Sequence, residues 1–253
     1  MKNIIIACLF FAGCSSKTIE PTKPAQAETP KKEFNLKNVI QKNEVTEKAD
    51  EVSPVVVPAK PAASASAFSQ MATVEFKKGH FDAAEVQINK AIKEQPNKSE
   101  YYHNLGLIHL AKNEQREAIQ SFRKGLQMNP QDAAIGAQLG AIFTKEKDYT
   151  KAEIALEIPV NKGSQDVNVL NNYAIALTAN KKIGEAEKIY EKVLKANPGS
   201  RDIMLNYSIF LIDQKQKYKQ GLDLLNRLKF VGVQPEARNI IKDLENRAKA
   251  GLK

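Results

Sequence analysis

Five carboxamides stand 34 residues apart along the chain: Gln70, Asn104, Gln138, Asn172 and Asn206. Each offers an uncharged acceptor and a pair of donors, the same groups that an extended peptide backbone presents. A row of them at one register would grip main chain without reading its sequence. An amide at such a place can equally bridge neighbouring helices, and the residues alone leave both roles open. Near them in the chain stand His103, Leu107, Leu110, Asn171, Ile175, Thr178, Leu205, Ile209 and Ile212, neutral and increasingly apolar toward the C-terminal end. No lysine or arginine stands at the amide position, one residue before it or four before it, so a clamp for a terminal carboxylate is not expected.

Little else in the chain suits catalysis. His103 and His109 lie six apart on one helix, on different faces, and His80 falls in a turn, a spacing that does not make a metal site. No glycine-rich phosphate loop and no G-x-S-x-G turn occurs. Glu187 and Glu191 beside Lys188 and Lys192 read as a solvated helix face. We expect no enzyme, no cofactor, no metal and no small-molecule substrate. Nucleic acid is not expected either, because basic and aromatic residues are not interleaved.

What must position the amides is a copied helix pair. Pro96, Pro130 and Pro198 stand 34 and then 68 residues apart, and Ala84, Ala118 and Ala186 lie twelve before them. Five windows follow, starting at Ala65, Ser99, Ala133, Val167 and Arg201. In the second, Tyr102, Leu105, Gly106, Ala118, Phe122, Gly125 and Pro130 fall at positions 4, 7, 8, 20, 24, 27 and 32. The fourth supplies Tyr173, Ala174, Ala186, Tyr190 and Pro198. Small residues let paired helices approach, large ones fill the space between pairs, and proline ends the second helix.

This pattern closely resembles the tetratricopeptide repeat. The resemblance implies an all-α, right-handed superhelical solenoid of about five helix pairs over residues 65–253, with the amides on the first helix of each pair facing a concave groove. Pro235 to Ala250 reads as the closing cap helix. Two windows depart from the pattern. The third has Gly136 at position 4 and Pro159 at position 27, so its second helix is expected to stop near Ile158, with Asn161, Lys162 and Gly163 as a loop. The fifth matches at Tyr218 and Gly221 only after a one-residue insertion.

Residues 1–64 differ in kind. An apolar run from Ile4 to Ala12 is too short to span a bilayer and fits a secretory signal. Phe11-Ala12-Gly13-Cys14 resembles the bacterial lipobox, which implies removal of residues 1–13, lipid on Cys14 and, with Ser15 next, sorting to the outer membrane. The other cysteine, Cys8, lies in the leader, so no disulfide is expected. Residues 14–64 hold six of the eleven prolines among Lys, Glu, Ala and Ser, and read as a disordered tether. Formal net charge is +9, and residues 215–253 carry ten Lys/Arg against four Asp/Glu.

A lipobox cysteine followed by tandem repeats is similar to the type IV pilus pilotins, which implies an adaptor that binds a protein partner and helps a secretin assemble. A scaffold lipoprotein of a gliding-motility or other trans-envelope complex, and an accessory regulator of a cell-wall enzyme, stay open beside it.

Overall fold

The computed structural model describes residues 63–253. The leader, Cys14 and nearly all of the tether lie outside the described residues. Eleven α-helices and no strand occur among the described residues: α1 (Ala63–Lys77), α2 (Phe81–Glu94), α3 (Ser99–Ala111), α4 (Gln115–Met128), α5 (Ala133–Lys145), α6 (Tyr149–Asn161), α7 (Val167–Ala179), α8 (Ile183–Ala196), α9 (Arg201–Asp213), α10 (Tyr218–Val231) and α11 (Arg238–Gly251). A 3-10 turn, Pro235–Ala237, leads into α11, so the expected cap helix is present. Each odd helix from α1 to α9 packs on the even helix after it, while α7 lies against α5, α9 against α7 and α11 against α9. The first helices α5, α7 and α9 thus lie side by side, with α11 against the last of them. No helix among the described residues is long and apolar enough to cross a membrane.

The turns inside the pairs are copies of one another. Position 15 is left-handed in the first four windows: Gly79 at φ +81°, Asn113 at +63°, Lys147 at +61° and Lys181 at +64°. Position 16 then donates to the carbonyl of position 11, as in Glu114 to His109 at 2.8 Å and Asp148 to Phe143 at 2.9 Å. That closure satisfies carbonyls a helix end would otherwise leave bare. In the fifth window the left-handed residue is Gln216, one place late, which locates the insertion in this turn.

Between pairs a different device operates. Gln95, Asn129 and Asn197 end α2, α4 and α8 outside the helical region, at φ −139°, −139° and −132°, as suits the residue ahead of a proline. Asp132 and Asp166 then cap α5 and α7 by accepting from two backbone N–H groups each, at 2.8–3.2 Å.

The third pair corrects the sequence expectation: α6 does not stop at Ile158 but runs through Pro159 to Asn161. Pro159 cannot donate to the carbonyl of Ala155, and Gly136 of α5 comes to rest against that carbonyl. A Cβ on Gly136 would lie 2.7 Å from Ala155 O and 3.0 Å from Pro159 Cδ. The two departures from the pattern therefore compensate: the large residue has moved from position 4 to position 27. With no proline after it, α6 closes at Gly163, φ +80°, where Ser164 N donates to Pro159 O at 3.0 Å.

A core runs through the stack from Ala118 to Ala248, with a second cluster from Ala65 to Ile108. Close approach needs glycine at Gly106, where a Cβ would meet the Phe122 ring at 2.4 Å. Fully buried side chains such as Phe122 and Phe210 each contribute about 1.5–3 kcal/mol. At the start of the stack Ala67, Met71 and Val74 are exposed, although they match Tyr101, Leu105 and Ile108, which the preceding pair covers in the next window.

Candidate functional site

All five amides lie on first helices, at one register of α1, α3, α5, α7 and α9. Gln70 is exposed; Asn104, Gln138, Asn172 and Asn206 are half-buried. The structure divides their work. Asn206 Nδ2 donates to Asn171 Oδ1 at 3.0 Å, so this rung ties α9 to α7. Gln70, Asn104, Gln138 and Asn172 make no side-chain hydrogen bond among the described residues, which leaves their donors and acceptors unspent there. The bridging role thus occurs at the Asn206 rung, and the other four amides make no such bond.

The lining is mixed. Leu107, Leu205 and Ile209 are half-buried and pack on the core, leaving part of each for a ligand. Ile175 is half-buried, but Ile212, expected in the lining, is only 3% exposed and fills the space above Gly221. His103 is half-buried with its ring centroid 6.0 Å from that of Phe122, and its Nε2 is buried without a partner among the described residues. Burial holds the His103 imidazole below the ordinary histidine range, partly opposed by Asp132 and Glu100. At neutral pH the lining is therefore uncharged here.

A second set of contacts was missed at the level of sequence. Glu187 is not a solvated residue: its carboxylate receives Lys217 at 2.6 Å and Lys215 at 2.9 Å from the next turn. Those two lysines hold its pKa below the ordinary carboxylate value. Glu153, nearly buried, accepts from Asn180 at 2.6 Å and from Lys182 at 2.5 Å, and that pairing raises the Lys182 pKa. Glu85 pairs with Lys112 at 2.7 Å. The signal was available, because Glu85, Glu153 and Glu187 share position 21. They sit on second helices and reach the turn of the following pair, fixing how one pair stacks on the next.

Glu85, His109 and Glu114 bring one potential ligand atom each within 4.8 Å of one another. Lys112 Nζ stands among them, 2.7 Å from Glu85, 2.9 Å from Asp82 and 3.3 Å from Glu114. That ammonium already neutralises the carboxylates, and His109 Nδ1 is spent on Glu114 at 2.8 Å.

Comparison with known proteins agrees with this geometry. Residues 69–133 and 177–244 match models described as tetratricopeptide repeat. A structure from a functional characterisation of Pseudomonas aeruginosa pilF superposes with a TM-score of 0.56 at 19% identity, covering 76% of this chain and 91% of that one. YrrB, described as a TPR protein with an unusual peptide-binding site, superposes with a TM-score of 0.62 at 18% identity over 72% of this chain and 90% of that one. A TPR repeat-containing protein of Dictyostelium discoideum is 22% identical over 143 residues, 53% of this chain and 54% of that protein. The chain thus spans about half the length of that relative. A repeated helix pair, a shared turn and two matched segments lead to one conclusion: the chain belongs to the tetratricopeptide-repeat family of protein-interaction scaffolds.

Proposed function

We propose that this chain is a lipid-anchored adaptor of the outer membrane whose groove holds an extended segment of a partner protein while an envelope machine assembles, a type IV pilus secretin above all. The observation that carries the reading is the row of half-buried amides, Asn104, Gln138 and Asn172, with no partner of their own. These amides are open to water, and a peptide backbone supplies both groups an amide wants, so bound main chain can take the place of that water. The likeness to the pilF fold supports the choice of machine, and Phe11-Ala12-Gly13-Cys14 supports the anchor.

Crosslinking in intact envelopes tests it. Asn104→Ala, Gln138→Ala and Asn172→Ala together are expected to reduce partner capture about tenfold with helicity unchanged. Deleting the gene should deplete secretin multimers, and Cys14→Ala should release the protein from the membrane fraction. Full capture by the triple variant would remove the groove from the account. Intact multimers with lost surface movement would assign the adaptor to a motility complex instead.

A further inference from the structure

The last two helices carry a surface that the groove does not use. α10 buries Gly221, Leu224, Leu225 and Leu228, one continuous stripe. Phe230 lies off that stripe and is 94% exposed, beside Val231 at 47%. On α11, Arg238, Lys242, Glu245 and Lys249 recur at i, i+4, i+7 and i+11 and so share one face. Lys229 pairs with Glu245, which neutralises the acid in that row. Arg238, Lys242 and Lys249 have no ion pair or side-chain hydrogen bond among the described residues. Lys229, Arg238, Lys242 and Glu245 rim a shallow hollow of about 360 Å³ floored by Val233 and Ile241, and Lys229 is next in chain to Phe230.

We propose that this α10–α11 end docks on a bilayer surface containing anionic phospholipid, with Phe230 and Val231 entering the acyl boundary and Arg238, Lys242 and Lys249 meeting the headgroup phosphates. The charge is complementary: residues 215–253 hold ten Lys/Arg against four Asp/Glu, most of the chain's excess. The apolar part is too small for a stable protein interface, which buries roughly 800 Å² on each partner. One or two apolar side chains ringed by cations are enough for an anionic bilayer. The proposal does not rest on lipid at Cys14 or on the groove.

The test uses the full chain with Cys14→Ser, so that no acyl anchor contributes. Its co-sedimentation is measured with phosphatidylcholine vesicles, with and without phosphatidylglycerol. Binding is expected to be about tenfold or more tighter to the anionic vesicles and to weaken as salt rises. Phe230→Ser, and separately Arg238→Glu with Lys242→Glu, should each remove most of that gain while circular dichroism stays unchanged. The leader is common to parent and variants, so the difference isolates α10–α11. Equal binding to both vesicle types, or undiminished binding by Phe230→Ser, overturns the proposal. So does competition by inorganic phosphate, which would make the hollow a simple anion site. Capture of polyglutamate without vesicle binding would give the surface to an acidic protein and likewise overturn it.

Discussion

Asn206 spends an amide proton on Asn171, a bond that ties α9 to α7. Asn172, next along α7, makes no such bond. Asn206 and Asn172 share one register yet differ in bonding, and substitution separates them. Asn206→Ala is expected to cost about 1 kcal/mol of stability, whereas Asn172→Ala should stay within about 0.5 kcal/mol. Urea denaturation of the two variants checks this; equal losses would refute the division.

Gly136 and Gly184 offer a matched pair. A methyl group at Gly136 meets the Ala155 carbonyl at 2.7 Å, while at Gly184 nothing lies within 4 Å. Gly136→Ala is expected to destabilise by about 2 kcal/mol or more through forced separation of α5 and α6. Gly184→Ala, in the first turn of α8, should stabilise by roughly 0.5–1 kcal/mol. Thermal melts of both variants against the parent give the answer.

Glu153 is the most enclosed of the stacking acids, at 8% exposure. Glu153→Ala deprives Asn180 and Lys182 of their acceptor. Because Lys182 keeps about half its surface in water, the loss is expected near 1–2 kcal/mol rather than the cost of a sealed pair. Hydrogen exchange should show faster opening between α6 and α7 than elsewhere. A uniform change along the stack would argue against a local joint.

Acidification reads out two groups. His103 has its pKa depressed in the folded chain by burial, so its contribution is whole above the unfolded value and is lost as pH falls through the folded one. The parent should therefore lose stability as pH drops below about 6.5, and His103→Gln should flatten that slope. Glu187 is also depressed, by Lys217 first and Lys215 second, so its contribution persists to lower pH before vanishing. Melting temperatures from pH 8 down to about pH 3 should show the two losses in that order.

Much of the architecture could be read from residue spacing. Pro96, Pro130 and Pro198 gave the period, and with it the helix pairs, the register of the amides and the insertion before Tyr218. Less legible was the third pair. Pro159 suggested a stop because a lone proline removes a donor, and nothing local reveals that Gly136, 23 residues earlier, shelters the carbonyl left behind. Pairing between repeats left a trace only in the shared register of Glu85, Glu153 and Glu187, which names no partner. Glu187 has lysine neighbours in its own helix, yet its partners lie at Lys215 and Lys217, beyond the reach of any helical spacing. The difference between Asn172 and Asn206 could not be read at all, since the same residue type at the same register bonds across helices in one case and not in the other.

Met71 and Val74 show to solvent a face whose equivalents are covered in the next pair. That face of α1 is therefore of the kind on which one more such unit stacks. Splicing an extra 34-residue module before Ala65 should lengthen the array without disturbing any existing joint, and a longer hollow would then span a longer stretch of whatever it holds.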